Sequence, residues 1–299
     1  MITFKQYLTD DVVNKWDKKR VAQNKAMQMI DEHCKVGFAA AMKTGGFLYR
    51  GDKNMSQSFS LIDTTNAVRT SRDSNNLYQL MMDTSPHLKE FPSRTTSLIC
   101  SASADTAKRY GGGEFNIIIP FDGVDIAFAE NVHDFPHNVN LVQDGDMILS
   151  IDDFSFYLAK AMRPFTAATA TKKYTDAVAL DAALSNMPPT QNELMKAYIK
   201  YALNVDRVRH LGTMLLRLSK DKRFTELSAK MMTPRALQLE LTTTANPLYA
   251  LSDSECWFTG KAIVISSEQF AKILKAKIDN NETVNHELIN IFAKELKFV

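Results

Sequence analysis

The N-terminal segment has apolar residues at mainly three- and four-residue steps from residue 4 to about residue 42, which predicts amphipathic helix. Gly45 and Gly46 end this pattern. Residues 47–51 are then typical of a short buried strand that closes in a turn, because Gly51 and the aspartate after it favour turn geometry.

The middle of the chain alternates short strands with a short helix. Residues 97–101 predict a strand, and residues 105–110 predict a helix that the three glycines at 111–113 terminate. Residues 115–120 predict a second strand that contains three consecutive isoleucines. Because this strand is apolar on both faces, it belongs inside a sandwich or under covering helices.

The C-terminal half opens with a predicted helical block over residues 172–241. The block contains a capping box, Thr190-x-x-Glu193, ahead of apolar residues at helical spacing. Residues 256–266 predict a pair of strands, and one or two helices from Ser267 onward close the chain.

The charge of the chain is nearly balanced, with 36 Lys and Arg against 34 Asp and Glu. It therefore has no general field to attract nucleic acid or an anionic membrane. No apolar stretch approaches the roughly 18 residues of a membrane span, and the first ten residues lack the apolar region of a secretion signal. Cys34, Cys100 and Cys256 lack metal-site or disulfide spacing, which predicts a reducing compartment.

Three short motifs, far apart in the chain, carry the candidate chemistry. They are, in order, Tyr49-Arg50-Gly51, then Ser101-Ala102-Ser103 with Ala107 and Tyr110 behind it, and finally Asp253-Ser254-Glu255. In this order they resemble the arginine, serine and glutamate signature of the ADP-ribosyltransferase family related to the clostridial exoenzymes and the arginine-specific transferases.

The resemblance implies an α+β fold with an ADP-ribosyltransferase-like split β-sandwich core, N-terminal helices and a helical insertion. The implied domains are an N-terminal helical segment over residues 1–45 and a first part of the core over residues 46–171. The helical insertion follows over residues 172–245, and the second part of the core, with a C-terminal helix, occupies residues 246–299.

The resemblance also implies that NAD is the substrate and that no metal takes part. Cleavage at the nicotinamide ribose has a transition state like an oxocarbenium ion, which a nearby carboxylate stabilises. Glu255 is the candidate for that carboxylate. Arg50 is the candidate for pyrophosphate binding, because its planar, permanently charged fork suits phosphate oxygens. Ser101 would support the glutamate and the nicotinamide-binding strand, with no nucleophilic role.

Further contacts follow from the same resemblance. The predicted NAD-binding set is Arg50, Gly51, Ser101, Ser103 and Tyr110, and the acceptor-side or secondary residues are Asp253 and Trp257. The serine motif has an alternative position at Thr95-Thr96-Ser97, because the family's central threonine is Ala102 here. Asp253 stands where arginine-specific members carry Glu and others often carry Gln, so the acceptor stays open.

A second resemblance concerns the source. Residues 75–78, 92–101 and 119–123 look like those of an uncharacterised protein family encoded by tailed phages, over a span of about residues 47–135. The expected protein is therefore a phage-encoded mono-ADP-ribosyltransferase that modifies a host macromolecule, with protein as the favoured acceptor. Its expected location is the host cytoplasm, with carriage in the virion as a second possibility and no membrane association.

Two other functions stay open. The first is a non-enzymatic virion or host-binding protein that keeps the fold without turnover. The second is a nucleic-acid-binding or nucleic-acid-modifying protein that uses basic residues between positions 207 and 223. His133 and His137 have the spacing of metal ligands on a helix, but Phe135-Pro136 between them predicts that no helix forms there.

Overall fold

The computed structural model describes residues 17–52, 58–67, 77–144, 147–152, 155, 224–246 and 253–297. The chain divides into two compact units. The sheet unit comprises Asn14–Arg69, Phe91–His133 and Leu239–Val299, and the second unit comprises Met1–Val13, Thr70–Glu90 and Asp134–Gln238.

The described elements are mostly short. The strands are β1 (Asp17–Arg20), β2 (Leu48–Arg50), β3 (Phe59–Asp63), β4 (Leu98–Ser101), β5 (Asn116–Pro120), β6 (Asp125–Ala129), β7 (Asn140–Asp144), β8 (Met147–Ser150), β9 (Leu239–Thr243), β10 (Glu255–Phe258) and β11 (Lys261–Ser266). The helices are α1 (Gln23–His33), α2 (Lys35–Thr44), α3 (Leu77–Thr84), α4 (Ala104–Gly111), α5 (Phe135–Asn138), α6 (Phe224–Met231), α7 (Ser267–Asp279), α8 (His286–Ile291) and α9 (Ala293–Leu296), with a 3-10 turn at Pro86–Leu88.

The sheet unit is built on a nine-stranded sheet in the order β1-β3-β11-β5-β2-β4-β10-β6-β9. Every neighbouring pair in it is antiparallel. The protein is therefore a mixed α and β protein, as the sequence predicts at this coarse level. Among the described residues, no helix is long and apolar enough to cross a membrane.

The link between β10 and β11 requires this sheet to fold over on itself. The two strands lie four positions apart in the sheet, which in a flat sheet is about 19 Å. Only Thr259 and Gly260 connect Phe258 to Lys261, and three peptide steps reach at most about 11 Å. The two halves of the sheet therefore face each other in two layers, whose usual separation is about 10 Å.

Two apolar cores follow from this arrangement. The inner core joins residues of both halves, including Leu48, Ile118 and Val264 from one half and Leu98, Cys100, Cys256 and Phe258 from the other. The outer core packs Ile117, Ile119 and Ile263 under residues of α1, α7 and α8. The prediction that residues 115–120 form a strand apolar on both faces is confirmed, since β5 has one face in each core.

Several local predictions are confirmed to within a residue or two. Helix α2 ends at Thr44, and Gly45 adopts a left-handed φ of 85° as its C-cap. Helix α4 ends in the same way, with Gly112 at a φ of 65°. The strand predicted over residues 97–101 is β4. These elements depend on turn glycines and short apolar runs, which the sequence displays locally.

Two predicted helical segments are wrong where they meet the sheet. Asp17–Arg20, within the predicted N-terminal helix, is edge strand β1, because its backbone pairs with β3. Leu239–Thr243, at the end of the predicted helical insertion, is β9, which pairs with β6. The sequence Leu-Glu-Leu-Thr-Thr alternates with the period of a strand and ends in β-branched residues.

The second unit contains α3, α5, α6 and the β7–β8 hairpin. Ser85 ties α3 to α6, because its hydroxyl donates to the carbonyl of Met232 at 2.6 Å. Helix α5 corrects the expectation that Phe135-Pro136 prevents helix: Pro136 lies in the first turn, where its missing N–H costs no hydrogen bond. The last segment of this unit begins at Asp134, and within it β7 and β8 pair with each other.

Candidate functional site

The three candidate motifs lie on adjacent strands of the nine-stranded sheet. Strand β4 lies between β2 and β10. Its last residue, Ser101, is directly opposite Tyr49 on one side and Glu255 on the other. Since neighbouring strands are about 4.8 Å apart, the backbones of Tyr49 and Glu255 are at most about 10 Å apart. Arg50, Ser101 and Glu255, which we call the candidate triad, therefore lie in one small region.

The members of the triad do not all leave the sheet on the same face. Ser101 and Glu255 share a face because directly opposite residues point to the same side. Arg50 follows Tyr49 and so leaves β2 on the opposite face, the face of Leu48 in the inner core. A ligand that contacts both charged groups would have to reach around the sheet where β2 and β4 pair at one position only.

The buried thiol of Cys100 reports the electrostatics of this region. Its pKa is raised to about 12, primarily by burial. The Arg50 guanidinium acts to lower this pKa and the Glu255 carboxylate acts to raise it. The two charged members of the triad therefore both act on one point in β4, although they leave the sheet on different faces.

Arg50 is held by backbone and side-chain contacts at the end of β2. Its side chain is 11% exposed, and Nη1 donates to the carbonyl of Ile99 at 2.6 Å. Its Nε lies 3.9 Å from Oδ2 of Asp52. The amide of Asn116 donates to the carbonyls of Arg50 and Asp52, at 3.5 and 3.4 Å. The arginine is thus a partly buried, fixed group and not a solvated surface residue.

Gly51 marks a close approach between β2 and α4. A Cβ at this position would lie 2.0 Å from the carbonyl oxygen of Ala107 and 2.4 Å from the backbone nitrogen of Gly111. No side chain fits there, so glycine is required for steric reasons. The backbone of α4 could not approach the end of β2 this closely if residue 51 carried a Cβ.

The serine motif joins β4 to α4. Ser101 Oγ accepts a hydrogen bond from the Ser103 backbone at 3.0 Å, and Ser103 caps α4 by accepting from the backbone of Thr106. The alternative motif lies at the other end of β4, where the hydroxyls of Thr96 and Ser97 bond to that of Thr259. Of the two, only the first places a serine beside Glu255.

Glu255 is a buried carboxylate and not a solvated turn residue. The residue is only 8% exposed, and its backbone N–H donates to the carbonyl of Val132 at 2.6 Å. Its Oε1 accepts a charge-assisted hydrogen bond from Nη1 of Arg94. A carboxylate buried in this way is usually paired, and here the partner is 161 positions away in sequence.

Arg94 is the residue that the sequence did not assign to the site. The structure buries it to 2% exposure. Its guanidinium lies over the ring of Trp257, 4.7 Å from the ring centroid. No local pattern reveals this role, because Glu255 and Trp257, which Arg94 contacts, lie on β10 and are distant in sequence.

Trp257 is a core residue that supports Arg94. The ring is fully buried, and its Nε1 donates to the carbonyl of Pro92 at 2.9 Å. The predicted secondary or acceptor-side role therefore does not fit a direct contact between this ring and a macromolecular acceptor. Asp253 is different, since it is exposed and has a left-handed φ of 59° in the turn before β10.

Tyr110 lies at the margin of the site, and the basic segment considered for nucleic-acid binding is not among the described residues. The Tyr110 hydroxyl donates to the carbonyl of His133 at 3.1 Å. The basic segment between positions 207 and 223 lies outside the described residues. Within the described residues there is no group of three or more His, Cys, Asp or Glu side chains that could hold a metal ion.

Comparison of the chain with protein-family models, curated proteins and solved structures gave no match. The functional argument therefore depends on the chain's own residues and their geometry.

Proposed function

We propose that the protein is a mono-ADP-ribosyltransferase that cleaves NAD at the nicotinamide ribose. The observation that supports this proposal is the cross-strand row Tyr49, Ser101, Glu255. It brings an Arg-Gly strand end, a serine at a strand-to-helix junction and a buried glutamate onto three adjacent strands. The two-layered antiparallel sheet is also the kind of core that an ADP-ribosyltransferase-like split sandwich would need.

The proposed reaction is a substitution at the ribose carbon that bears nicotinamide. The carbon–nitrogen bond breaks with its electron pair going to nicotinamide, which leaves an oxocarbenium-like ribose. Glu255 holds the ribose 2′-hydroxyl and stabilises the positive charge. The acceptor then forms a new bond to the same carbon and gives up its proton, which completes the transfer of ADP-ribose.

The remaining roles follow from position. Arg50 binds the pyrophosphate through its planar, permanently charged guanidinium, whose geometry suits phosphate oxygens. Ser101 braces the junction between β4 and α4, directly opposite Glu255 on β10. Asp253, exposed two positions before Glu255, faces the acceptor, which we propose to be a host protein modified by a phage-encoded enzyme.

The experiment is an assay of nicotinamide release and label transfer from NAD carrying a label in its ADP-ribose part. We expect activity in the wild-type protein and a loss of at least about 100-fold in Glu255→Gln, which removes the charge but keeps the shape. Glu268→Gln is the matched control, because Glu268 is an exposed carboxylate paired with Lys272 at 2.8 Å. Equal activity in Glu255→Gln and the control would exclude Glu255 from the mechanism.

One observation favours a second candidate, a non-enzymatic phage protein that retains the fold. Glu255 is buried and already paired with Arg94, as it would be in a carboxylate kept for structure alone. This candidate predicts no nicotinamide release and no NAD-induced rise in the melting temperature. Measurable NAD cleavage that requires Glu255 would exclude it.

A further inference from the structure

The segment that carries Arg94 is fastened to the sheet on both sides of that residue. Before it, the carbonyl of Pro92 accepts from the Trp257 indole at 2.9 Å. After it, the hydroxyls of Thr96 and Ser97 reach Thr259 at 3.1 and 3.0 Å. We call residues 92–97 the arginine loop. The loop is anchored to the Trp257 side chain on β10 and to Thr259 in the turn after β10. It is therefore fixed to the strand that begins with Glu255.

Arg94 itself is fixed in two ways on this loop. Its guanidinium stacks on the Trp257 ring, and the same group donates to Oε1 of Glu255. A planar guanidinium can stack and donate at once, which an ammonium group cannot do in the same geometry. The Arg94 guanidinium therefore sets the orientation of the Glu255 side chain. Trp257, two residues further along β10, holds that guanidinium in place.

Stability alone is a weak explanation for this pair. Removing two charges from water is costly, and buried ion pairs are often no more stabilising than apolar residues of similar size. The pair has a physical reason if the protein needs a carboxylate with a fixed orientation at residue 255.

We propose that Arg94 is a positioning residue that holds the Glu255 carboxylate in the orientation that the reaction needs, without contacting NAD itself. This inference rests on the proposed function. It predicts that changes at Arg94 lower kcat for NAD cleavage and leave the KM for NAD nearly unchanged, since the ground-state contacts of NAD do not include Arg94.

The test compares wild-type protein, Arg94→Lys and Arg94→Gln in nicotinamide release from NAD. We expect kcat to fall by roughly 100-fold in Arg94→Gln, the usual cost of misplacing a catalytic group by about 1 Å. Arg94→Lys keeps the positive charge but loses the planar guanidinium and its stacking on Trp257. Its kcat should therefore lie between those of the wild-type protein and Arg94→Gln. Lys272→Gln, which breaks the exposed pair with Glu268, is the control and should match wild type.

Each result decides a different point. A graded loss of kcat at constant KM supports the proposal, and if Arg94→Gln does not fold, a lower kcat at constant KM in Arg94→Lys supports it equally. Wild-type kcat in the folded variants overturns it, and so does an effect confined to KM, which would make Arg94 an NAD contact. Absence of NAD cleavage in the wild-type protein would instead overturn the proposed function.

Discussion

Gly51 lies where the end of β2 meets α4, and its lack of a side chain allows the contact. Gly51→Ala would force a Cβ to within 2.0 Å of the Ala107 carbonyl oxygen, so we expect a loss of more than about 3 kcal/mol in the free energy of unfolding. Gly123→Ala is the control: Gly123 has a φ of 83° but open space around it, and should lose only about 1 kcal/mol. Urea unfolding of both variants measures the difference, and equal losses would contradict the close approach.

The cysteines should be unreactive in the folded protein. Burial raises the pKa of Cys34 and of Cys100 from 9.0 to about 12, and it raises that of Cys256 as well. At pH 8 the thiolate fraction of the first two falls roughly a thousandfold, and labelling by a disulfide reagent should slow at least as much relative to the denatured chain. Rapid labelling of the native protein would show that the apolar cores around these thiols open readily.

The same thiols make stability depend on alkaline pH. In the unfolded chain they ionise near pH 9, while the folded state holds Cys34 and Cys100 neutral to about pH 12. The unfolded state then binds fewer protons, so the free energy of unfolding should fall as pH rises between these values. Replacing Cys34 by Ala should weaken this fall measurably. An unchanged slope would mean that this thiol does not contribute.

At the scale of single elements, two serine caps allow a matched comparison. Ser103 caps α4 and Ser266 caps α7, by accepting from backbone N–H groups at 3.3 and 3.4 Å. Each change to Ala should lower the free energy of unfolding by about 1 kcal/mol. Only Ser103→Ala should also raise the KM for NAD, because Ser103 alone is a predicted NAD contact. If both variants keep the wild-type KM, Ser103 is a helix cap and nothing more.

The elements also mark how far the sequence could predict the fold. Helix α4, strand β5 and the ends at Gly45 and Gly112 carry their signals within a few residues, and these predictions hold. Edge strand β1 carries no such local signal, because its four charged residues form a strand only by pairing with β3. An interaction with a partner forty positions away leaves no local pattern.

For the site, too, the sequence predicted the local motifs but not the contacts between distant residues. The motifs around Arg50, Ser101 and Glu255 are local and can be read from the sequence, and the register places them together. The pairing of Glu255 with Arg94 could not be read, since it depends on the arginine loop lying over β10. Nor does the sequence reveal that Arg50 and Glu255 leave the sheet on different faces.

For the sheet unit as a whole, the folded-over sheet predicts a gradient of amide protection. Strands β5 and β11 are central and buried on both faces, so their amides should exchange with solvent only on global unfolding. Strands β1 and β9 are the edges and should exchange earlier, by local opening. Hydrogen exchange followed by mass spectrometry measures this order. Equal protection of an edge strand and β5 would contradict the sheet order.

The position at which NAD binds decides between the proposed transferase and a non-enzymatic protein that retains the fold. A crystal structure of Glu255→Gln soaked with NAD keeps the dinucleotide intact for observation. We predict that the Gln side chain at position 255 lies within hydrogen-bonding distance of the nicotinamide ribose and that the Arg50 guanidinium contacts the pyrophosphate. A dinucleotide bound away from both side chains, or no binding at saturating NAD, would contradict the proposed enzyme.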